Sequence, residues 1–196
     1  MKTIQSAILL AMTGALASFQ AAAQSDAETI AAATLPLPED LRAEATVYTY
    51  DEDTGERIVL RAGSNHVECQ PRNDEGFTMC FPKSGAARRD LTAKLTAEGL
   101  SGDELQSALE AAERAGTIDP PIFGSVMYRL YDNDDRIQLL TVVMVPNATA
   151  EQLGMNTGSQ RDNALAGKGR PWMMREGTPG AHIMIPINGT DLSNRP

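Results

Sequence analysis

The two histidines of this chain, His66 and His182, are candidates for a base or a ligand, because imidazole changes its protonation state near neutral pH. His182 lies in a short segment that also holds the only tryptophan, Trp172. If this segment contains a strand, His182 and Met184 share one face, because successive side chains of a strand point to opposite sides. We therefore predict a ligand-binding surface around Trp172 and His182, which His66 joins if folding brings both histidines to one pocket.

Methionine is the second unusual feature of the His182 segment. Thioether sulfur suits Cu(I), and imidazole suits copper in general. A copper site is therefore one alternative, with His182, Met184 and either Met173 or Met174 as ligands. The competing interpretation is that the methionines fill irregular gaps in the core. The segment lacks the cysteine and second histidine of a blue-copper site, so we predict no metal or cofactor and keep copper as an alternative.

A hydrolase is the other alternative, with His182 as the base that activates a nucleophile. The chain contains no G-x-S-x-G, H-E-x-x-H or G-x-x-x-x-G-K-[ST] motif. Ser64, Ser125 and Ser159 are therefore expected to be ordinary serines unless the fold places one of them beside a histidine. The favoured prediction is a non-enzymatic protein that binds a small molecule or a protein partner.

Cys69 and Cys80 are the only two cysteines, and they lie eleven positions apart. The C-x-x-C spacing of a thiol redox centre is absent. A zinc site that combined them with His66 would require both thiols to stay unpaired. In an exported chain a disulfide is the expected state, and we predict a structural bridge that closes a short loop.

The first residues have the pattern of a cleavable secretory signal peptide over residues 1–23. Lys2 provides the positive charge, the apolar core extends over residues 4–16, and Ala21-Ala22-Ala23 matches the A-x-A pattern that precedes cleavage. No later segment is apolar over the roughly 18 residues that a membrane span needs, so no membrane anchor is expected after cleavage. We predict export to a periplasm or to the medium, by a signal of the bacterial type.

The charge of the chain argues against nucleic acid as a partner. The sequence has 17 basic and 26 acidic side chains, which gives a formal net charge of −9. Removal of residues 1–23 takes away one lysine and no acid, so the net charge of the mature part changes from −9 to −10. Such a surface repels phosphate backbones and anionic lipid head groups.

The elements that must position these residues indicate a single globular domain over residues 45–196. Two β-prone runs, residues 47–50 and 57–60, flank a turn and predict a hairpin. A second hairpin is predicted within residues 126–145, where the apolar run 137–145 is typical of a central strand. The last strand is predicted over residues 181–187, and its inward-facing side chains are Ile183, Ile185 and Ile187.

Helices are predicted between the two hairpins, over Ser84–Glu98 and Ser101–Ala115. Ser101 and Glu104 have the spacing of a capping box at the start of the second helix. Residues 24–44 contain closely spaced prolines, which disfavour regular structure, and are predicted to form a flexible Ala/Pro-rich arm. The expected fold is therefore α+β, an antiparallel β-sheet of six to eight strands with an inserted helical pair.

Two short blocks resemble exported bacterial proteins, a group with no family of known activity. The first block has the pattern G-x-N-x-V-x-C-x-P from Gly63 to Pro71 and continues at Met79-Cys80. The second has the pattern G-T-P-x-x-H-I-M from Gly177 to Met184. The resemblance implies that the two blocks contribute to one surface of the fold, and it implies no reaction.

Overall fold

A computed structural model describes residues 26–133, 136–155, 157, 169–187 and 190–192. The predicted signal peptide, residues 1–23, and Ser159 lie outside these residues. Within the described ranges, no helix is long and apolar enough to cross a membrane.

The described strands form one eight-stranded sheet. They are β1 (Thr46–Tyr50), β2 (Arg57–Arg61), β3 (Val67–Gln70), β4 (Phe77–Pro82), β5 (Val126–Asn133), β6 (Arg136–Met144), β7 (Trp172–Met174) and β8 (His182–Ile187). Their order across the sheet is β2-β1-β3-β4-β5-β6-β8-β7. β1 and β3 pair in parallel, and all other neighbours pair antiparallel.

Helices lie before the sheet, between β4 and β5, and after β6. They are α1 (residues 26–33), α2 (Glu39–Arg42), α3 (Ala86–Ala97), α4 (Gly102–Arg114) and α5 (Ala150–Leu153), with a 3₁₀ turn at Lys83–Gly85. α3 and α4 are the predicted helical pair, and they lie in the chain between the hairpins β1–β2 and β5–β6. The structure confirms the α+β class and the predicted number of strands.

The start of α4 differs from the predicted capping box. The side chain of Ser101 makes no capping hydrogen bond, and Gly102 has a φ of +52°. A capping residue must lead directly into right-handed helical backbone, and the left-handed glycine interrupts that path. The capping box among the described helices is instead at α5, where Thr149 and Gln152 bond each other's backbone N–H groups.

The predicted flexible arm, residues 24–44, is corrected by the structure, because its described part packs on the sheet. Leu37 is 2% exposed, and Ala33 at the end of α1 is buried in one apolar cluster with Cys80. The guanidinium group of Arg42 donates a hydrogen bond to the carbonyl of Leu37 at 2.9 Å and holds the proline-containing turn. Ala33 is the small residue through which α1 packs into this cluster, whereas Ala27, Ala31 and Ala32 are exposed.

The predicted disulfide joins Cys69 to Cys80. The two residues lie directly opposite each other on β3 and β4, and both are fully buried. The carbonyl oxygen of Ala33 lies 3.4 Å from Sγ of Cys80. The bridge therefore ties the two strands together beneath the N-terminal helix.

The burial of β8 corrects the prediction for Ile183, Ile185 and Ile187. These three side chains are only partly buried, whereas Met184 on the other face is buried. The reason is Trp172, which lies opposite Met184 on β7 and packs with it in one cluster. The more deeply buried face of β8 is therefore the one that carries His182 and Met184.

Loss of the disulfide should destabilise this fold measurably. In the chain-entropy account, a closed loop of about this length stabilises by about 3 kcal/mol. We expect the double variant Cys69→Ala, Cys80→Ala to unfold at lower urea concentration, with the free energy of unfolding reduced by about 3 kcal/mol. Reduced wild-type protein provides the control, because it keeps both side chains. Equal urea midpoints for the oxidised and reduced wild type would contradict the prediction.

Candidate functional site

A cavity of about 560 Å³ lies between the sheet and the helices α3 and α4. The sheet forms its floor through Phe81, Met127, Met144 and His182. The two helices form one wall, and the segments before β5 and β8 form the rim. Residues of the wall and rim include Arg88, Arg89, Leu109, Glu110, Glu113, Pro120, Ile122, Ser125, Arg175 and Thr178.

His182 lies at the centre of a row of side chains on the cavity side of the sheet. Its direct partner on β6 is Met144, and its direct partner on β7 is Met174. Side chains directly opposite each other in an antiparallel pair lie on the same face, with Cβ atoms about 4.5–5.5 Å apart. The next row on this face consists of Met127, Val142, Met184 and Trp172.

The hydrogen bonding of His182 determines its tautomer. Nδ1 lies 2.8 Å from the carbonyl oxygen of Gly180. A carbonyl oxygen can only accept, so Nδ1 carries the proton and donates it. In the neutral ring Nε2 then holds a lone pair, and this nitrogen makes no hydrogen bond to any residue that the structure describes.

The surroundings of His182 favour the neutral imidazole. Burial lowers the pKa of His182 below its ordinary value of 6.5. The positive charges of Arg129 and Arg175 lower this pKa further, and the hydrogen bond to Gly180 opposes the change. At pH 7 the ring is therefore uncharged, and Nε2 can act as a hydrogen-bond acceptor, a base or a metal ligand.

The structure brings together most of the residues predicted around His182, but not all. Trp172 and Met184 pack together next to the His182 row, and Trp172, only 4% exposed, supports the floor from beside the cavity. Met174 flanks His182 directly. Met173, a candidate copper ligand, lies on the opposite face of the sheet and packs with Ala181. Met173 therefore cannot join His182 in one site.

His66 does not share the cavity with His182. It is exposed just before β3, where its carbonyl accepts a hydrogen bond from the backbone N–H of Lys83. Two strands, β5 and β6, separate β4 from β8 in the sheet. His66 is therefore not part of the ligand site around His182, contrary to the prediction. The two sequence blocks, one on β3–β4 and one on β8, are not adjacent in the sheet either.

The hydrogen bond of His182 also bears on the hydrolase alternative. A Ser-His-Asp triad places a carboxylate at Nδ1 of the histidine, and here that position is taken by the Gly180 carbonyl. Ser125 lines the same cavity, whereas Ser64 is exposed and bonded to Glu44. Among the described residues, no three His, Cys, Asp or Glu side chains form a metal-binding group.

Buried ion pairs hold α3 above the sheet and so shape the cavity wall. Glu68 on β3, whose side chain is 5% exposed, accepts hydrogen bonds from Arg57 on β2 and Arg89 on α3. Arg57 also contacts the carboxylate of Asp90 on α3 at 2.5 Å. A carboxylate at this depth needs paired cations, because taking it out of water is costly.

Two tyrosines complete this network. The hydroxyl of Tyr48 accepts a hydrogen bond from Nε of Arg89 at 3.1 Å, and the hydroxyl of Tyr50 donates one to Asp90 at 2.8 Å. Burial raises the pKa of both phenols above 10.0, so both stay protonated near neutral pH. The guanidinium carbon of Arg57 lies 3.7 Å from the centre of the Tyr48 ring, within cation–π distance.

Sequence reasoning missed the charged wall of the cavity. Arg88 on α3 pairs with Glu113 on α4 and joins the two helices, while Arg89 reaches the sheet. One signal was available, because the acidic Glu68 stands between Val67 and Cys69, two residue types that are often buried. A charge in such a segment indicates a partner, although it does not say where in the chain the partner lies.

Comparison with known proteins gives no match: no protein-family model, no curated protein and no solved structure is significantly similar to this chain. The chemistry of the cavity is therefore the basis on which a function can be inferred. Its distinctive elements are an apolar floor, one neutral imidazole and a wall of paired charges.

The protonation of His182 gives a prediction for pH dependence. Because the folded pKa lies below 6.5, the unfolded chain binds this proton first as the pH falls. The stability contribution is therefore fully present above pH 6.5 and is lost as the pH falls through 6.5 towards the folded pKa. In urea unfolding, the free energy of unfolding of the variant His182→Gln should fall less than that of the wild type as the pH is lowered through this range. In the variant His66→Gln, His182 is the only remaining histidine and can be titrated by NMR. A midpoint of 6.5 or higher for His182 would contradict the prediction.

Removal of the Glu68 charge should destabilise the fold. The substitution Glu68→Gln leaves two half-buried guanidinium groups without their shared carboxylate, which costs about 3 kcal/mol or more. Glu98→Gln is the matched control, because Glu98 is exposed at the end of α3 and its loss should change stability by less than about 0.5 kcal/mol. Equal urea midpoints for the two variants would refute the role of Glu68.

Proposed function

We propose that this chain is an exported, non-enzymatic protein that binds a small, partly apolar molecule in the cavity between the sheet and α3–α4. The observation that carries the proposal is the neutral imidazole of His182 on the floor of that cavity. A hydrogen-bond donor of the ligand would bond Nε2, while the apolar part of the ligand would lie on the methionines and Phe81.

The size and lining of the cavity support a small-molecule ligand. Its volume of about 560 Å³ falls in the range of about 300–1,000 Å³ that is typical of ligand sites. Phe81, Met127, Met144 and Leu109 supply apolar surface on the floor and one wall. Methionine adapts its shape to different partners, so this floor suits a ligand of irregular outline.

The arginines that line the cavity differ in their ion pairing, and Nη1 of Arg88 has no hydrogen-bond partner among the described residues. Arg88 and Arg89 are neutralised by Glu113 and Glu68. Arg175 is exposed at the rim and makes no ion pair with any described residue. A Cβ on Gly180 would lie 3.2 Å from its guanidinium group, so this cation stands close to His182. We expect the polar end of the ligand to carry an electron-rich oxygen as well as the donor for Nε2.

A fragment screen followed at the methionine methyl groups tests this proposal. In protein labelled with ¹³C at the methionine methyls, bound fragments should shift the signals of Met127 and Met144, which line the cavity, and leave Met173 unchanged. Ser125→Phe fills the cavity and should abolish these shifts.

The matched control is Ser101→Phe, which adds the same side chain at an exposed position outside the cavity lining. Fragment binding to this variant should be unchanged within about twofold. Fragments that bind Ser125→Phe as well as the wild type, or that shift only methyl groups elsewhere, would overturn the proposal.

A further inference from the structure

We propose that Met144, His182 and Met174 form a binding site for Cu(I), with two thioether sulfurs and Nε2 of the imidazole as ligands. The site differs from the copper set considered from the sequence, because Met144 enters it and Met173 and Met184 leave it. It uses the cavity floor but does not rest on the small-molecule ligand proposed above.

The register of three adjacent strands places the ligands side by side. Met144 on β6 and Met174 on β7 are the direct partners of His182 on β8. Both side chains leave the sheet on the same face as the imidazole and flank it from its two sides. Each methionine has three flexible torsions that can bring its sulfur towards the metal. A metal ion bound at Nε2 therefore has one sulfur donor available on each side.

The imidazole is already prepared for a metal. Its Nδ1–H is held by the carbonyl of Gly180 at 2.8 Å, which leaves Nε2 deprotonated and orients the ring. Metal-bound histidines commonly have such a hydrogen bond from the other ring nitrogen to a carbonyl or carboxylate.

The ligand types select a soft, singly charged ion. Thioether sulfur is preferred by Cu(I), while Zn²⁺ and Ca²⁺ prefer thiolate or oxygen ligands. Both cysteines are bound in the disulfide, and no group of three His, Cys, Asp or Glu is present in the described part of the chain. Arg129 and Arg175 raise the positive potential at the ring, and this repulsion is twice as large for a divalent ion as for a monovalent one.

Access to the site is open on the β7 side. Met174 is 42% exposed, and Met144 and His182 line the cavity. A metal carrier or chelator can therefore reach the three ligand atoms without unfolding the sheet. This arrangement is suited to reversible binding and transfer rather than to a permanently buried structural ion.

The test is an anaerobic Cu(I) titration of the purified chain, with its disulfide intact, against the chelator bathocuproine disulfonate. The wild type should bind one equivalent of Cu(I). Loss of a single outer partner of a metal site already costs about 10–100-fold in affinity, so the double variant Met144→Leu, Met174→Leu should lose more than about 100-fold. Methionine and leucine have similar volumes, so this exchange is well tolerated in a core.

Two single variants provide matched controls. Met173→Leu changes the opposite face of the sheet, and Met184→Leu changes the neighbouring row. Both should keep the wild-type affinity within about threefold. His182→Gln should lose affinity as strongly as the double variant, and Ag(I) should shift the methyl signals of Met144 and Met174.

Two outcomes of the titration would contradict the proposed copper site. Wild-type protein that binds Cu(I) no better than the double variant excludes it, and so does an equal loss of affinity in Met173→Leu or Met184→Leu. A free-thiol assay during the titration shows whether the disulfide was reduced. If free thiols appear, copper bound to cysteine is identified, and the titration is repeated on the double variant Cys69→Ala, Cys80→Ala. Fragment binding at Met127 can persist when copper binding fails, so the two proposals are separable.

Discussion

The shape of the site depends on one buried carboxylate, that of Glu68. It lies on β3 but is satisfied by Arg57 from β2 and Arg89 from α3, so it joins the sheet to the helix that forms the cavity wall. Asp90 balances the second positive charge. Buried ion pairs add little net stability, but a misplaced partner leaves an uncompensated charge. The network therefore restricts where α3 can lie.

On the cavity floor, the same sheet carries a polar group that is neutral rather than charged. There the polar group is a neutral imidazole whose proton is tied to the carbonyl of Gly180. Because Arg89 is neutralised by Glu68, it does not draw a charged ligand towards the wall. The result is a cavity with an apolar floor, an oriented acceptor nitrogen and, at its rim, Arg175, a cation without an ion-pair partner among the described residues. Both proposed ligands use this acceptor nitrogen.

Features that depend on short-range patterns could be predicted from the sequence. The hairpins, the helical pair, the disulfide and the common face of His182 and Met184 all follow from turn residues, periodicity or the predicted compartment. Features that depend on tertiary packing could not. The alanines and prolines of residues 26–44 are equally compatible with a loose arm and with a helix packed on the sheet, and only the apolar cluster around Cys80 decides between them.

The candidate site shows the same limit at the level of single residues. Strand alternation assigns a side chain to a face, but it does not choose the neighbour across the strand. A shift of β7 by one position would turn Met173 towards His182 and Met174 away from it. That shift would also move Trp172 away from Met184, and the apolar row of Met184, Val142 and Trp172 would be lost. Burial of the tryptophan therefore selects the register, and the register decides which methionines lie beside the histidine.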